Sequence, residues 1–265
     1  MRQRSRTRLA NLFNITGGTR GNRTWGGTID RLEHAPSMMR NRVRSRWELA
    51  IVSSSCAQPG QSTAGLSPNG AIGITAGVSP AGAFQVAIRH RGSTLIARSP
   101  AGIVLADRPF GALVETAREA IVPAAGCTGE RVSARETVKN GRQLILETSA
   151  CNDGAAFRLV APARPEADPW RIAGEHRFVT ARNDACLGVR YAKFFNGHEG
   201  DYRPVRLQAL KHDDLLDLPL TCATGTAEET YALTESNIEH YAAAYLTGTA
   251  TGDGVSVTPD SAPRR

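Results

Sequence analysis

The stretch RQLILETSACNDGAAFRLVAP, residues 142–162, decides the fold. Its arms, 142–150 and 155–162, are rich in Leu, Ile, Val and Phe, and Cys151-Asn152-Asp153-Gly154 joins them. A joint this short carries an antiparallel hairpin, since a parallel crossover needs about a dozen residues or more. The pattern recurs on both sides. Upstream lie AIGITAGV (71–78), AFQVAIRH (83–90) and STLIARS (93–99), separated by SPAG and RG. Downstream lie HRFVTA (176–181), PVRLQAL (204–210), LPLTCAT (218–224) and ETYALTE (229–235). Roughly ten short strands without alternating helices predict an all-β fold, a large antiparallel β-sandwich. The one helix-like patch, NIEHYAAAYL at 237–246, reads as a turn leading into a last strand.

Ahead of this region, QPGQSTAGLSPNG (58–70) has linker composition, and Asn69-Gly70 signals a turn. The domain is therefore expected over 66–257, with 1–65 as a disordered basic leader and linker and 258–265 as a truncated tail. The net charge of +7 belongs to the leader: residues 1–48 hold eleven Arg against Asp30, Glu33 and Glu48, or +8, which leaves −1 on the other 217 residues. That near-neutral remainder gives no electrostatic case for a phosphate-binding face, so no nucleic-acid partner is expected.

Within the leader, Met38 and Met39 precede RNRVRSRWELAIVSSSCAQ, which has a basic start and a small-residue stretch at Ser55-Cys56-Ala57. Its apolar run LAIV is shorter than the roughly 7–15 residues of an export signal. Two readings stand, a mis-assigned start and a degenerate export signal, and the second would make the protein periplasmic or secreted. No run approaches the roughly 18 apolar residues of a membrane span. The cysteines at 56, 127, 151, 186 and 222 form no CxxC pair, which argues against a zinc ribbon or a thioredoxin-type site. Buried free thiols are expected, with one or two disulfides as the alternative in an exported chain.

A search for self-contained chemistry returns no catalytic residues. GLSPN (65–69) and GVSPA (77–81) lack the final glycine of a nucleophile elbow, and His34, His90, His176, His198, His212 and His240 form no metal-binding pair. Asp213, Asp214 and Asp217 fall in HDDLLDLP, read as a solvated loop, and Glu228 and Glu229 precede a strand. NGHEGDY, 196–202, differs from these: glycines flank Glu199 and Asp201, and Phe194, Phe195 and Tyr202 lie close by, as in sugar-binding loops.

Taken with its neighbours, NDGAAFRLVAP (152–162) resembles the N-terminal domain of glycoside hydrolase family 97. The likeness runs from Leu66 to about Gly254 through SPNG (67–70), RHRGSTLIARSPAGIVLAD (89–107), GEHRF (174–178), LPLTCAT (218–224) and YALTESNIEHYAAAYL (231–246). It implies a galactose-mutarotase-like super-sandwich that packs against a catalytic (β/α)8 barrel. The implied activity is hydrolysis of α-glucosides or α-galactosides, with calcium at the active site. The paired carboxylates of such chemistry would come from barrel loops. The resemblance also aligns HEGDY with a loop that enters the barrel's site, so Glu199 is the position to which a calcium-ligand role carries over. Calcium needs six to eight oxygens, so Glu199 is expected to bind it only with the barrel supplied. This chain is expected to lack the barrel and to be inactive alone. Two functions are open: a carbohydrate-binding, domain-packing part of a calcium-dependent α-glycosidase, or a stand-alone carbohydrate-binding or structural module.

Overall fold

The hairpin at 142–162 forms as expected, with Gly154 opposite Cys151 and Val160 opposite Ile145. The computed structural model describes residues 12–19, 64–105, 109–162, 172–174, 177–179, 185–192, 198–223, 229–236, 243–249 and 254–259. These belong to a compact unit of residues 1–19 and 62–265; a second unit, 20–61, lies outside the described residues, as do Met38, Met39 and Cys56. No helix among the described residues is long and apolar enough to cross a membrane.

The strands in chain order are β1 (Leu12–Thr19), β2 (Ala64–Leu66), β3 (Ile72–Val78), β4 (Phe84–His90), β5 (Ser93–Pro100), β6 (Val104–Leu105), β7 (Leu113–Ile121), β8 (Cys127–Glu136), β9 (Gln143–Cys151) and β10 (Gly154–Val160). They continue as β11 (Ile172–Gly174), β12 (Arg177–Val179), β13 (Ala185–Gly188), β14 (Arg190–Tyr191), β15 (Arg203–Val205), β16 (Leu215–Leu216), β17 (Leu220–Ala223), β18 (Glu229–Ser236), β19 (Ala244–Gly248) and β20 (Gly254–Pro259). A 3-10 turn, Leu207–Ala209, interrupts the run 204–210 that the sequence predicts as one strand.

These strands divide into four sheets: β15-β13-β17-β18-β1-β10-β9-β8-β7, β11-β6, β12-β20-β19-β16-β14 and β2-β3-β4-β5. The arrangement is a four-bladed β-propeller, and it overturns the expected β-sandwich or super-sandwich. Alternation and tight turns fix which sequence neighbours pair, as in β3-β4-β5. Distant pairings decide where one sheet ends: β1 sits between β10 and β18, and β12 pairs β20. Residues 12–19, expected in the leader, thus form a strand of the largest sheet.

Buried apolar side chains from all four sheets join in one core cluster, among them Ile74 and Phe84, Leu105, Leu146 and Phe157, and Leu246 and Val257. On β8, Val132 and Ala134 point inward and are fully buried, while Glu130 and Arg131 are only half-buried. Glu119, Arg131, Glu147 and Arg158 stand opposite one another on β7 to β10. They form a row of alternating charge: Arg131 meets Glu119 at 2.9 Å and Glu147 at 2.7 Å, and Arg158 meets Glu147 at 2.6 Å. Burial works to raise the Glu147 carboxyl, but its two arginines outweigh it and hold the group below the usual carboxylate range.

Four cysteines are disulfide-bonded, Cys127–Cys151 between β8 and β9 and Cys186–Cys222 between β13 and β17. The expected free thiols are corrected at these positions. In each case the pair stands directly opposite in the strand register, which brings the Cα atoms to 4.3 Å and 4.0 Å.

Candidate functional site

Between β13 and β14 the chain leaves the nine-stranded sheet and joins the five-stranded one, turning at the buried Val189. The Val189 carbonyl accepts a 2.9 Å hydrogen bond from the Asp217 N–H, which ties this step to the end of β16. The Cys186–Cys222 disulfide closes the same segment from the other side, so residues 189–217 lie within one stapled loop.

HDDLLDLP is not the solvated loop its composition suggests. Leu215 and Leu216 form β16 and are buried, and Asp217 is only 4% exposed. Its carboxyl group makes three hydrogen bonds. Oδ1 accepts from the Leu218 N–H at 2.9 Å and pairs with His198 Nδ1 at 2.8 Å, while Oδ2 accepts from the Tyr191 hydroxyl at 3.1 Å. With a carboxylate as acceptor, the His198 proton on this side sits on Nδ1. Burial, followed by the neighbouring Asp217, pushes the Tyr191 phenol up to about 12. A buried Asp beside three donors follows the rule that buried polar groups are hydrogen-bonded.

Tyr245 of β19, fully buried, completes the cluster. The His198 ring stacks on it with centroids 5.2 Å apart and planes at 15°, and Tyr191 meets it edge-on at 6.0 Å and 84°. These contacts hold His198 at φ 47°, in the left-handed region. A residue other than glycine costs about 1–2 kcal/mol there, and such backbone persists where its surroundings over-determine it.

His198 therefore anchors the loop that carries Glu199. Gly200 anchors the far side, because a Cβ at position 200 would overlap Cγ1 of Val189. Gly200→Ala is accordingly expected to push the loop off Val189 at a cost of about 1–3 kcal/mol, as overpacking does. A lower urea midpoint with an unchanged slope would show it; an unchanged midpoint would mean that the loop does not rest on Val189.

Glu199 is exposed, with no hydrogen bond or ion pair among the described residues. Asp201 is also exposed and reaches Arg203 at 3.6 Å. Tyr202 is 50% exposed. An open cleft of about 580 Å³ lies alongside, lined by Val189 to Ala192, Gly200, Asp201, Arg203, Asp213 and Asp214. Asp214 pairs with Arg190 and accepts from the Lys211 N–H at 2.8 Å; these two contacts hold its carboxyl below the usual range. Asn196, Phe194, Phe195 and Glu228 lie outside the described residues.

Calcium takes six to eight hard oxygens. No group of three His, Cys, Asp or Glu among the described residues is placed to hold a metal. Glu199 supplies one suitable donor, so the described residues do not make a calcium site by themselves. Tyr191, Asp217 and Tyr245 escape the sequence reading. The one available hint is the Leu215-Leu216 pair before Asp217, which marks that segment as buried.

Residues 66–263 match the family model described as "Glycosyl-hydrolase 97 N-terminal". The retaining alpha-galactosidase of Bacteroides thetaiotaomicron is 27% identical over 139 residues, which cover 49% of this chain and 20% of that protein. A glycoside hydrolase family 97 enzyme from Pseudoalteromonas sp. strain K8, solved in complex with panose and with acarbose, superposes with a TM-score of 0.63 at 18% identity. That match covers 76% of this chain and 32% of the other. A beta-arabinopyranosidase superposes with a TM-score of 0.61 at 14% identity, covering 75% and 35%. The chain thus spans only 20–35% of the length of these relatives.

Proposed function

The chain belongs to the glycosyl-hydrolase 97 N-terminal family, and from that premise we propose that it serves an α-glycosidase as the part that docks on a catalytic (β/α)8 barrel and lends Glu199 to its active site. The substrate class in this reading is an α-glucoside or α-galactoside. Glu199 acts as one ligand of a calcium ion whose other ligands the barrel supplies. Carbohydrate association follows from the family relationship.

The observation that carries it is the contrast within HEGDY. His198 and Gly200 are fixed by packing, while the carboxylate between them makes no hydrogen bond or ion pair among the described residues. A loop shaped this way holds a donor out for something else to bind. The surface nearby is suited to a partner: Leu187, 47% exposed on β13, stands opposite Pro204 on the edge strand β15, and Tyr202 precedes that strand.

In a complex with a family barrel, Glu199→Gln is expected to weaken calcium binding tenfold or more while leaving the free chain's stability unchanged. Calorimetric calcium titration of the two complexes checks this. The alternative, a stand-alone carbohydrate-binding module, is favoured if the chain alone binds panose in the same instrument.

A further inference from the structure

Asp217 is the most buried acid of the 189–217 segment. It touches neither the cleft nor the exposed Glu199, yet it accepts hydrogen bonds from two separate pieces of chain around the loop. His198 comes from the loop itself and Tyr191 from β14, 19 and 26 residues distant from Asp217 in sequence. A third hydrogen bond, from Leu218 N–H, directs Oδ1, and the Asp217 N–H is held by Val189, the residue on which Gly200 rests. Both anchors of the Glu199 loop therefore converge on Asp217.

We propose that Asp217 is a positioning residue: by clamping His198 and Tyr191, it fixes the direction in which residues 198–202 hold the Glu199 carboxylate. The inference rests on the proposed role of Glu199 for its functional meaning, but the clamp itself belongs to the free chain. A carboxyl group suits the task because its two oxygens accept from a ring N–H and a phenol at once. His198 alone would be held only by its stacking on Tyr245, which leaves the ring free to slide.

Hydrogen–deuterium exchange on the free chain tests the clamp. In Asp217→Ala, the amides of 198–203 are expected to exchange at least tenfold faster, while those of the β9–β10 hairpin keep their wild-type rates. Asp217→Asn retains a carbonyl acceptor and is expected to recover most of the lost protection. Tyr191→Phe removes one donor without touching Asp217 and is expected to give an intermediate rate. In the barrel complex, Asp217→Ala should also weaken calcium binding although Glu199 is intact, and Asp217→Asn should restore it.

Wild-type exchange at 198–203 in Asp217→Ala would overturn the proposal. So would uniformly faster exchange throughout the folded Asn and Phe variants, since Asp217 would then support the fold generally. Glu199→Gln serves as the control, because Glu199 contributes no contact to the loop and its exchange should stay at wild-type rates. If Glu199→Gln leaves calcium binding in the complex unchanged, the Glu199 reading fails while the exchange results still decide the clamp.

Discussion

Glu136→Ala is expected to lower the unfolding free energy by about 3–5 kcal/mol, a large part of the roughly 5–15 kcal/mol that holds a typical domain together. Glu136 closes β8, and its side chain and that of Arg142 are each only 5% exposed. The pair is bidentate, with Nε to Oε2 at 2.8 Å and Nη2 to Oε1 at 2.7 Å. Glu136 also accepts the backbone N–H groups of Gly111 and Arg142, both at 2.8 Å. Arg142 donates to the Pro109 carbonyl and lies over the Phe110 ring, 4.2 Å from its centroid.

Removing Glu136 strips the buried Arg142 guanidinium of its bidentate carboxylate contact and takes the acceptor from two backbone donors. Replacing both partners, as in Glu136→Leu with Arg142→Met, removes the buried charge as well and is expected to cost much less. Urea titration of the single and double variants checks the difference. Equal losses would mean that the cost arises from packing.

The same pair sets an acid limit. Hydrogen bonding from Arg142, then from the two backbone donors, holds the Glu136 carboxyl at about 2, below the ordinary 4.5. A depressed carboxylate adds stability above its unfolded value, and that contribution is lost as pH falls through the folded one. The wild-type chain should therefore lose stability between pH 4.5 and 2 more steeply than the Leu/Met double variant.

The second large effect is that of the Cys186–Cys222 disulfide. Replacing both residues by Ala is expected to cost about 3–4 kcal/mol, because the 36-residue separation is released into the unfolded ensemble. The Cys127–Cys151 bridge, with a separation of 24, should cost nearly as much. The two differ in what else they disturb. Only the 186–222 segment contains Tyr191, His198, Glu199 and Asp217, so only its release should also speed amide exchange at 198–203. Equal exchange in the two double variants would show that the staple does not support the site.

The sequence made the hairpins legible because their information is local. Residues 142–162, 71–90 and 229–235 carry β-favouring runs and turn residues side by side, and each is a strand or hairpin in the structure. β7 and β8 were not legible: LVETAREAI and CTGERVSARE are crowded with charges. Those charges are satisfied largely across strands, with Glu130 on Arg118 and Glu119 and Glu147 on Arg131, and one strand alone does not show this; Glu115 meets Arg118 within β7. The division into four sheets was hidden for the same reason, since it depends on pairings such as β1 with β18. Cysteine spacing likewise says nothing of register, and register is what places Cys127 opposite Cys151.

At the site, Glu199 was singled out only through the resemblance of HEGDY to a family loop. The residues that hold that loop were not found. Asp217 is hidden in HDDLLDLP because two neighbouring aspartates give the stretch a solvated look, whereas its partners His198 and Tyr191 lie 19 and 26 residues away. A polar residue's environment depends on what folds over it, and that is tertiary information.

The most direct test of the account is calcium binding by a reconstituted pair. The chain would be mixed with a separately produced (β/α)8 barrel of the family and titrated with calcium in a calorimeter. The account predicts a calcium-dependent complex whose affinity for calcium falls at least tenfold in Glu199→Gln. Equal calcium affinity in the wild-type and Glu199→Gln complexes would contradict it.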